Sequence, residues 1–227
     1  MCILALVVPQ PGGVLQVAAN RDEFLKRPAA PPSIWEEGWL APRDLEAGGT
    51  WLGLNPRGLF VGVTNRAGVH RVADRRSRGL LVTDALRAAD VPSLHQELAA
   101  LPADRYNAFH LAYADGTSAG LTWSDGERLH QELLGPGLHV ITERSLGAGD
   151  DRERVAQLRR RKSELDRARD RYQKVLGLPD LGHRATELAR LAETLGRWPE
   201  ARGWAALVMS DTVGGGMIRR LLPAMTG

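Results

Sequence analysis

The chain is poor in cysteine: among its 227 residues the one cysteine is Cys2. No intramolecular disulfide and no multi-cysteine metal site can form from it. Lysine is scarce as well. It occurs at Lys26, Lys162 and Lys174, so 27 of the 30 basic side chains are arginine. Beside so much Ala, Leu and Gly, that bias reads as the mark of coding DNA rich in G and C. Net charge is only +3, too small to point to nucleic acid. No apolar run approaches the roughly 18 residues of a membrane-spanning helix. The apolar start is not preceded by basic residues and lacks the form of a signal peptide. A cytoplasmic protein is the expectation. None of His70, His95, His110, His130, His139 and His183 pairs with another at helical spacing, so no helical metal site is suggested.

What is present suits a packed domain, with 43% apolar and 25% charged residues. Cys2 to Val8 is an almost unbroken apolar run, Gly12-Gly13 makes a turn, and Val14 to Ala19 forms the second arm of a hairpin. The polar segment 20–27 leaves that strand, and Pro28, Pro31 and Pro32 predict an irregular loop. Strands are predicted at 35–40, 51–55 and 59–64, the last two joined by the turn Pro56-Arg57-Gly58. Residues 65–77 are polar and basic and read as exposed loop. Helices are predicted at 80–89 and 94–101. A strand meander follows at 109–114, 118–123, 128–133 and 138–142, with Asp115-Gly116 and Asp125-Gly126 as hairpin turns. Residues 150–176 form a long charged helix whose apolar positions recur at spacings of 3, 4 and 7. A helix at 186–195 and a late strand at 205–209 complete the pattern, which suits two sheets between helical layers in a single domain spanning 1–227.

Three places carry candidate chemistry. Removal of the initiator methionine would expose Cys2 with a thiol and a free α-amine, whose ordinary pKa near 7.7–8.0 allows it to act as a base at neutral pH. A terminal cysteine can thus be nucleophile and base together. From residue type and position alone, a small buried residue on a core strand is the readier reading. Asn20-Arg21-Asp22-Glu23 falls beside Cys2 if the first two strands pair. There a carboxylate can hold the amine, and an arginine can lower the thiol pKa or hold an anionic substrate. A solvated loop with a local salt bridge is the alternative. Asn65 ends a strand and can direct its amide N–H at a developing oxyanion, or simply serve the turn.

Taken in order, Met1-Cys2-Ile3, Ala18 to Phe24 with Arg27-Pro28, Gly48 to Gly53, and Thr64-Asn65-Arg66 resemble the motifs of the Asn-Arg-Asp-Glu family, also called the transport-and-Golgi-organisation family. Leu138 to Thr142 resembles that family's next strand, so the likeness reaches about residue 155. The resemblance implies an α+β fold, a four-layer αββα sandwich of two mainly antiparallel sheets, as in N-terminal-nucleophile hydrolases. It extends in layout to bile-salt hydrolases and penicillin V acylases, whose Asn-x-x-Gly-Leu…Asn segment is similar to Asn55 through Asn65. On that likeness Cys2 matches the nucleophile, Asp22 the aspartate near its amine, and Asn65 the oxyanion-side asparagine. Asn20, Arg21, Glu23, Trp51 and Glu143 are the expected substrate contacts. Two departures stand out. Glu143 replaces a second asparagine and, ionised, cannot donate a hydrogen bond. From about residue 200 the chain diverges, and Ser210 to Arg220 replaces the family's closing strand.

The resemblance carries two functions of different class. One is hydrolysis of a non-peptide amide or acyl thioester, with no cofactor required. The other is binding or trafficking of haem or an acyl ligand, as expected from the family's links to haem and lipid metabolism. The partner is then a small-molecule acyl substrate or haem, and homo-oligomerisation stays open. Trp35, Trp39 and Trp51 line a flat ligand cleft or belong to the core. His70 and His139 are candidate iron ligands or structural. Arg159-Arg160-Arg161-Lys162 is a phosphate site or a solvated helix face.

Overall fold

The computed structural model describes residues 2–24, 26–147, 152–179 and 181–210, with Met209 and Ser210 by backbone alone. Two compact units divide the chain, Met1–Val155 and Ala156–Gly227. The first contains two antiparallel sheets. β1 (Ile3–Val8), β2 (Gln16–Asn20) and β10 (Gly137–Thr142) form a three-stranded sheet in the order β10-β1-β2. The larger sheet runs β3-β4-β5-β6-β7-β8-β9 through β3 (Ala29–Ile34), β4 (Leu40–Asp44), β5 (Leu52–Leu54), β6 (Phe60–Asn65), β7 (Phe109–Ala114), β8 (Ala119–Ser124) and β9 (Leu129–Leu133).

Side-chain alternation sorts these strands into layers. Leu4, Leu6 and Val8 of β1 and Ile141 of β10 pack on Phe60, Ala112, Ala114 and Leu121, which closes the space between the sheets. Burial of such side chains contributes about 1.5–3 kcal/mol each. The opposite face of the larger sheet, including Val61, Phe109, Leu111 and Tyr113, is covered by α1 (Arg78–Ala85) and α2 (Val91–Ala99) through Leu81, Val82, Leu86, Leu94 and Leu98. Helix, sheet and sheet thus make an α+β sandwich, with three of the four expected layers inside the first unit.

The shared Asn-Pro-Arg-Gly-Leu segment has a structural cause. Asn55 is buried, and its Nδ2 donates to the carbonyls of Leu86 (3.1 Å) and Ala88 (3.0 Å) while its Oδ1 accepts from the N–H groups of Arg57 (2.9 Å) and Leu59 (3.0 Å). One side chain therefore closes the turn between β5 and β6 and anchors the exit of α1. The entrance of α1 is held by glycines. A Cβ on Gly49 would lie 2.4 Å from the carbonyl carbon of Gly79 and 2.6 Å from its oxygen, and the Thr50 N–H donates to that oxygen at 3.2 Å. Gly49→Ala is expected to cost about 2 kcal/mol through forced backbone displacement. A denaturation midpoint shift at unchanged m-value is the readout, and a loss under about 0.5 kcal/mol, the size of an ordinary surface change, would contradict the close approach.

Several expectations need correction. The proline segment is strand β3, not loop, and it tolerates Pro31 and Pro32 because it is the sheet's edge, where missing N–H donors face no partner. Its pairing with β4 shifts register between Ala30 and Ser33. Residues 35–39, expected as strand, are the turn between those strands, closed by Trp35 N–H to Trp39 O (2.9 Å), and Leu40 opens β4. Residues 138–142 do not continue the meander: after Gly135-Pro136-Gly137 the chain crosses to the other sheet, where β10 pairs with β1. Helix α2 starts earlier than its apolar pattern, because the Asp90 carboxylate caps the Ser93 N–H at 2.9 Å and Pro92 sits in the first turn.

The second unit holds most of α3 (Arg152–Leu176), with α4 (Ala185–Thr194) and α5 (Trp198–Ser210). Tyr172, Val175, Leu188, Ala192 and Ala201 form its core. The expected late strand at 205–209 is the last part of α5, a short apolar run whose period could not separate strand from buried helix. The arginine run lies on α3, where Arg161 pairs with Glu164 and Lys162 with Asp166, as a solvated helix face does. Most of Ser210 to Arg220, the divergent stretch, lies outside the described residues.

Candidate functional site

Antiparallel pairing of β1 with β2 sets Ile3 opposite Asn20, so the start of the first strand lies beside the end of the second. β6 ends nearby at Asn65. These strand ends border a cleft of about 680 Å³. Its lining includes Cys2, Asn20, Arg21, Asp22, Glu23, Trp51 and Asn65, but not Glu143.

Cys2 is half-buried, and its thiol points to the main-chain carbonyl of Asp22 at 3.8 Å, a weak donor contact. Asp22 thus meets the sulfur through its backbone. Burial pushes the Cys2 thiol up; the carboxylates of Glu143 and Glu23 push the same way and Arg21 opposes them. Glu143 follows β10, and its carbonyl accepts the Ala67 N–H at 2.7 Å, tying the turn after β6 to the turn after β10. Its carboxylate acts on the thiol through space. Glu143→Gln is therefore expected to lower the thiol pKa and speed alkylation of Cys2 by iodoacetamide near neutral pH by about two- to fivefold. An unchanged or slower rate would show that Glu143 does not bear on the sulfur.

Around the Asn-Arg-Asp-Glu segment the charges interlock. The Arg21 guanidinium lies over the Trp51 ring at 4.2 Å and faces Glu23 at 3.5 Å and Asp44 at 3.7 Å. Stacking of this kind contributes about 0.5–2 kcal/mol. Arg27 donates to Asp44 at 2.9–3.0 Å through two nitrogens and to Glu46 at 3.0 Å. Burial pushes the Asp44 carboxyl up, but Arg27 and the N–H groups of Ala47 and Glu46 outweigh it and hold the group below its ordinary value. The Asp44 main chain closes the same loop, donating to Gly49 O and accepting from Gly48 N–H, both at 2.8 Å. That loop delivers Trp51 to the cleft. Trp35 and Trp39, by contrast, belong to the core under α1 and α2.

The cleft also holds side chains that the motif reading passed over. Arg71, Arg75, Arg76 and Arg78 all line the cleft. Five arginines between residues 66 and 78 were the available signal, in a segment read simply as basic loop. Arg76 is engaged by Asp84 and the Tyr106 hydroxyl. Arg66 is not among the lining residues. It donates to the carbonyls of Ser145 and Leu146, both at 2.9 Å, and meets His110 Nε2 at 3.1 Å, while His110 Nδ1 meets the Thr64 hydroxyl at 3.2 Å. This buried set fixes the end of β6, and with it the position of Asn65. The Asn65 side chain has no hydrogen-bond partner among the described residues and borders the cleft.

Among the described residues no group of three His, Cys, Asp or Glu side chains can hold a metal ion. His139 meets the Gly135 carbonyl at 2.7 Å, and neither it nor His70 lines the cleft. No helix among the described residues is long and apolar enough to cross a membrane.

Comparison with known proteins places these features in a family. The Transport and Golgi organisation 2 family model matches residues 1–194, further than the motifs alone reached. A mouse Transport and Golgi organization 2 homolog is 38% identical over 113 residues, 47% of this chain and 41% of that protein. The human homolog is 38% identical over 111 residues, 46% of this chain and 40% of that protein. The match thus spans about two fifths of those curated relatives. Among solved structures, the C2A mutant of a conjugated bile acid hydrolase from Clostridium perfringens aligns at TM-score 0.42 and 13% identity, over 62% of this chain and 53% of that one. A Caenorhabditis elegans N-acylethanolamine-hydrolyzing acid amidase ortholog aligns at 0.43 and 12%, over 68% and 73%. The extent of the family match makes the conclusion plain: this chain belongs to the Transport and Golgi organisation 2 family.

Proposed function

We propose that the chain is an N-terminal-nucleophile hydrolase that cleaves a non-peptide amide or an acyl thioester through an acyl-Cys2 intermediate. The observation that supports this best is that Cys2 lines one cleft together with Asn20 to Glu23 and Asn65. After loss of Met1, the Cys2 amine takes the thiol proton as sulfur attacks the carbonyl carbon. The Asn65 amide donates to the oxyanion, whose negative charge returns as the bond to nitrogen or sulfur breaks. The proton passes to the leaving group. Water then hydrolyses the acyl-thioester, releasing a carboxylic acid and restoring the thiol. Because burial disfavours a free thiolate here, a base adjoining the sulfur is a requirement of this chemistry rather than an embellishment.

The second reading is an acyl-ligand carrier that uses the same cleft without turnover; the raised thiol pKa favours it. Haem fits less well. The lining offers iron one soft donor, Cys2, held protonated by burial, and no histidine. Intact-mass measurement of the purified chain, alone and after mixing with N-acyl amides and acyl thioesters, separates the readings. Loss of Met1 together with a transient acyl adduct on Cys2 supports the hydrolase. Retained Met1 with tight ligand binding and no adduct would leave the carrier.

A further inference from the structure

Three arginines that share the cleft with the Asn-Arg-Asp-Glu segment are unmatched by acid. Arg71, Arg75 and Arg78 line the cleft, and none has a carboxylate partner among the described residues. Their remaining contacts are neutral. Arg75 donates to the carbonyls of Tyr106 (3.2 Å) and Gly126 (3.3 Å), and Arg78 to the carbonyl of Ala108 (2.9 Å). Arg71 is exposed at the cleft and makes no hydrogen bond. The contrast with the other arginines is sharp. Arg21, Arg27 and Arg76 are each matched to Asp or Glu, and three of the lining carboxylates, Glu23, Asp44 and Glu46, are taken up by Arg21 and Arg27.

Half-buried arginine without a counter-ion is unfavourable, because desolvation is not offset by attraction. Arg78 shows the strain: burial, with Arg71 adding like charge, pushes its pKa down to about 10, against the pull of Cys2 and Glu23. Its place is fixed, since it opens α1 directly after the capping Ser77, and the close approach of Gly49 to Gly79 pins that helix entrance. The arrangement is a cation fixed at the entrance of α1, within electrostatic reach of Cys2 and Glu23, with the exposed Arg71 near it.

We propose that Arg71, Arg75 and Arg78 form an anion subsite, and that the acyl compound taken by the cleft carries an oxyacid group, a carboxylate, sulfonate or phosphate, beside the bond that Cys2 addresses. This deepens the reading of the cleft as an acyl site and rests on it. Arginine suits the task because its planar fork reaches two oxygens at once and its hydration is weak. The subsite selects against neutral analogues, which would leave the guanidinium groups desolvated and unmatched.

Titration calorimetry on the full chain carrying Cys2→Ala tests the subsite without turnover. The probes are N-lauroylglycine, N-lauroyltaurine and dodecyl phosphate, with uncharged N-lauroylglycinamide as the control, and their ranking identifies the preferred oxyacid. At least one anion is expected to bind about tenfold or more tightly than the amide, the scale of hydrogen bonds to charged groups. Arg71→Gln, at an exposed side chain without a hydrogen bond among the described residues, and Arg78→Lys, which keeps the charge but loses the fork, are each expected to erase most of that preference. Equal affinity for all four probes, or a preference untouched by both substitutions, overturns the proposal. Cys2-dependent turnover with no anion preference would sink the subsite alone, whereas anion preference without any acyl adduct on the native chain would sink the hydrolase reading alone.

Discussion

Cys2→Ala is expected to lower turnover of any substrate of this chain by on the order of 10⁴-fold or more, the scale on which loss of a covalent nucleophile is felt. The reasoning is local. Cys2 supplies the attacking sulfur, and its substitution leaves the amine but nothing for that base to activate. The fold should not notice. Cys2 precedes the first residue of β1 and is half-buried, and the thiol's single hydrogen bond is a 3.8 Å contact to the Asp22 carbonyl. Stability within about 0.5 kcal/mol of the native chain is therefore the expected companion result, as for substitutions away from core features. Steady-state assay with N-acyl amides and acyl thioesters reads the first effect and denaturant unfolding the second. Turnover surviving at more than a tenth of the native rate would mean that the sulfur is not the nucleophile.

Asn55→Ala should produce the opposite pattern, a large loss of stability at a residue outside the cleft. It strands two carbonyls, of Leu86 and Ala88, and two N–H groups, of Arg57 and Leu59, in the interior. Each buried group left without a partner costs about 1–3 kcal/mol, and partial relaxation or entry of water recovers some of it, so a net loss of about 3 kcal/mol or more is expected. Asn55→Asp keeps the acceptor and loses both donors, and it should fall between the two. A change below about 1 kcal/mol for Asn55→Ala in urea unfolding would show that the four bonds are not the reason for the motif. Because the same side chain fixes the exit of α1, and α1 opens with Arg78, a partly folded variant should also lose the grip of the cleft on anions.

How far the sequence disclosed this molecule depends on the kind of signal. Periodicity and turn chemistry sufficed for the β1–β2 hairpin and for the hairpins closed by Asp115 and Asp125, whose carboxylates accept the N–H groups that follow. Proline misled at β3, since the rule against it in strands lapses at a sheet edge, a position that no local pattern reveals. The transfer of β10 to the smaller sheet was equally invisible, because a β-strand's partners are chosen by tertiary contact and adjacent strands usually pair. At the cleft the ordered motifs located Cys2, Asn20 to Glu23, Trp51 and Asn65 around one opening. They did not disclose that Glu143 would act from outside the lining, nor that Asn55 and Gly49 serve the scaffold. The arginines of 71–78 escaped for another reason: a basic loop is usually solvated, and that this one shares a cleft with Cys2 is visible only in the fold.

The place of Cys2 on the cleft, just ahead of β1, has a practical corollary. On the hydrolase reading, an affinity handle fused ahead of Cys2 would turn its amine into a peptide nitrogen, and protein prepared that way would lack the base whatever else it kept.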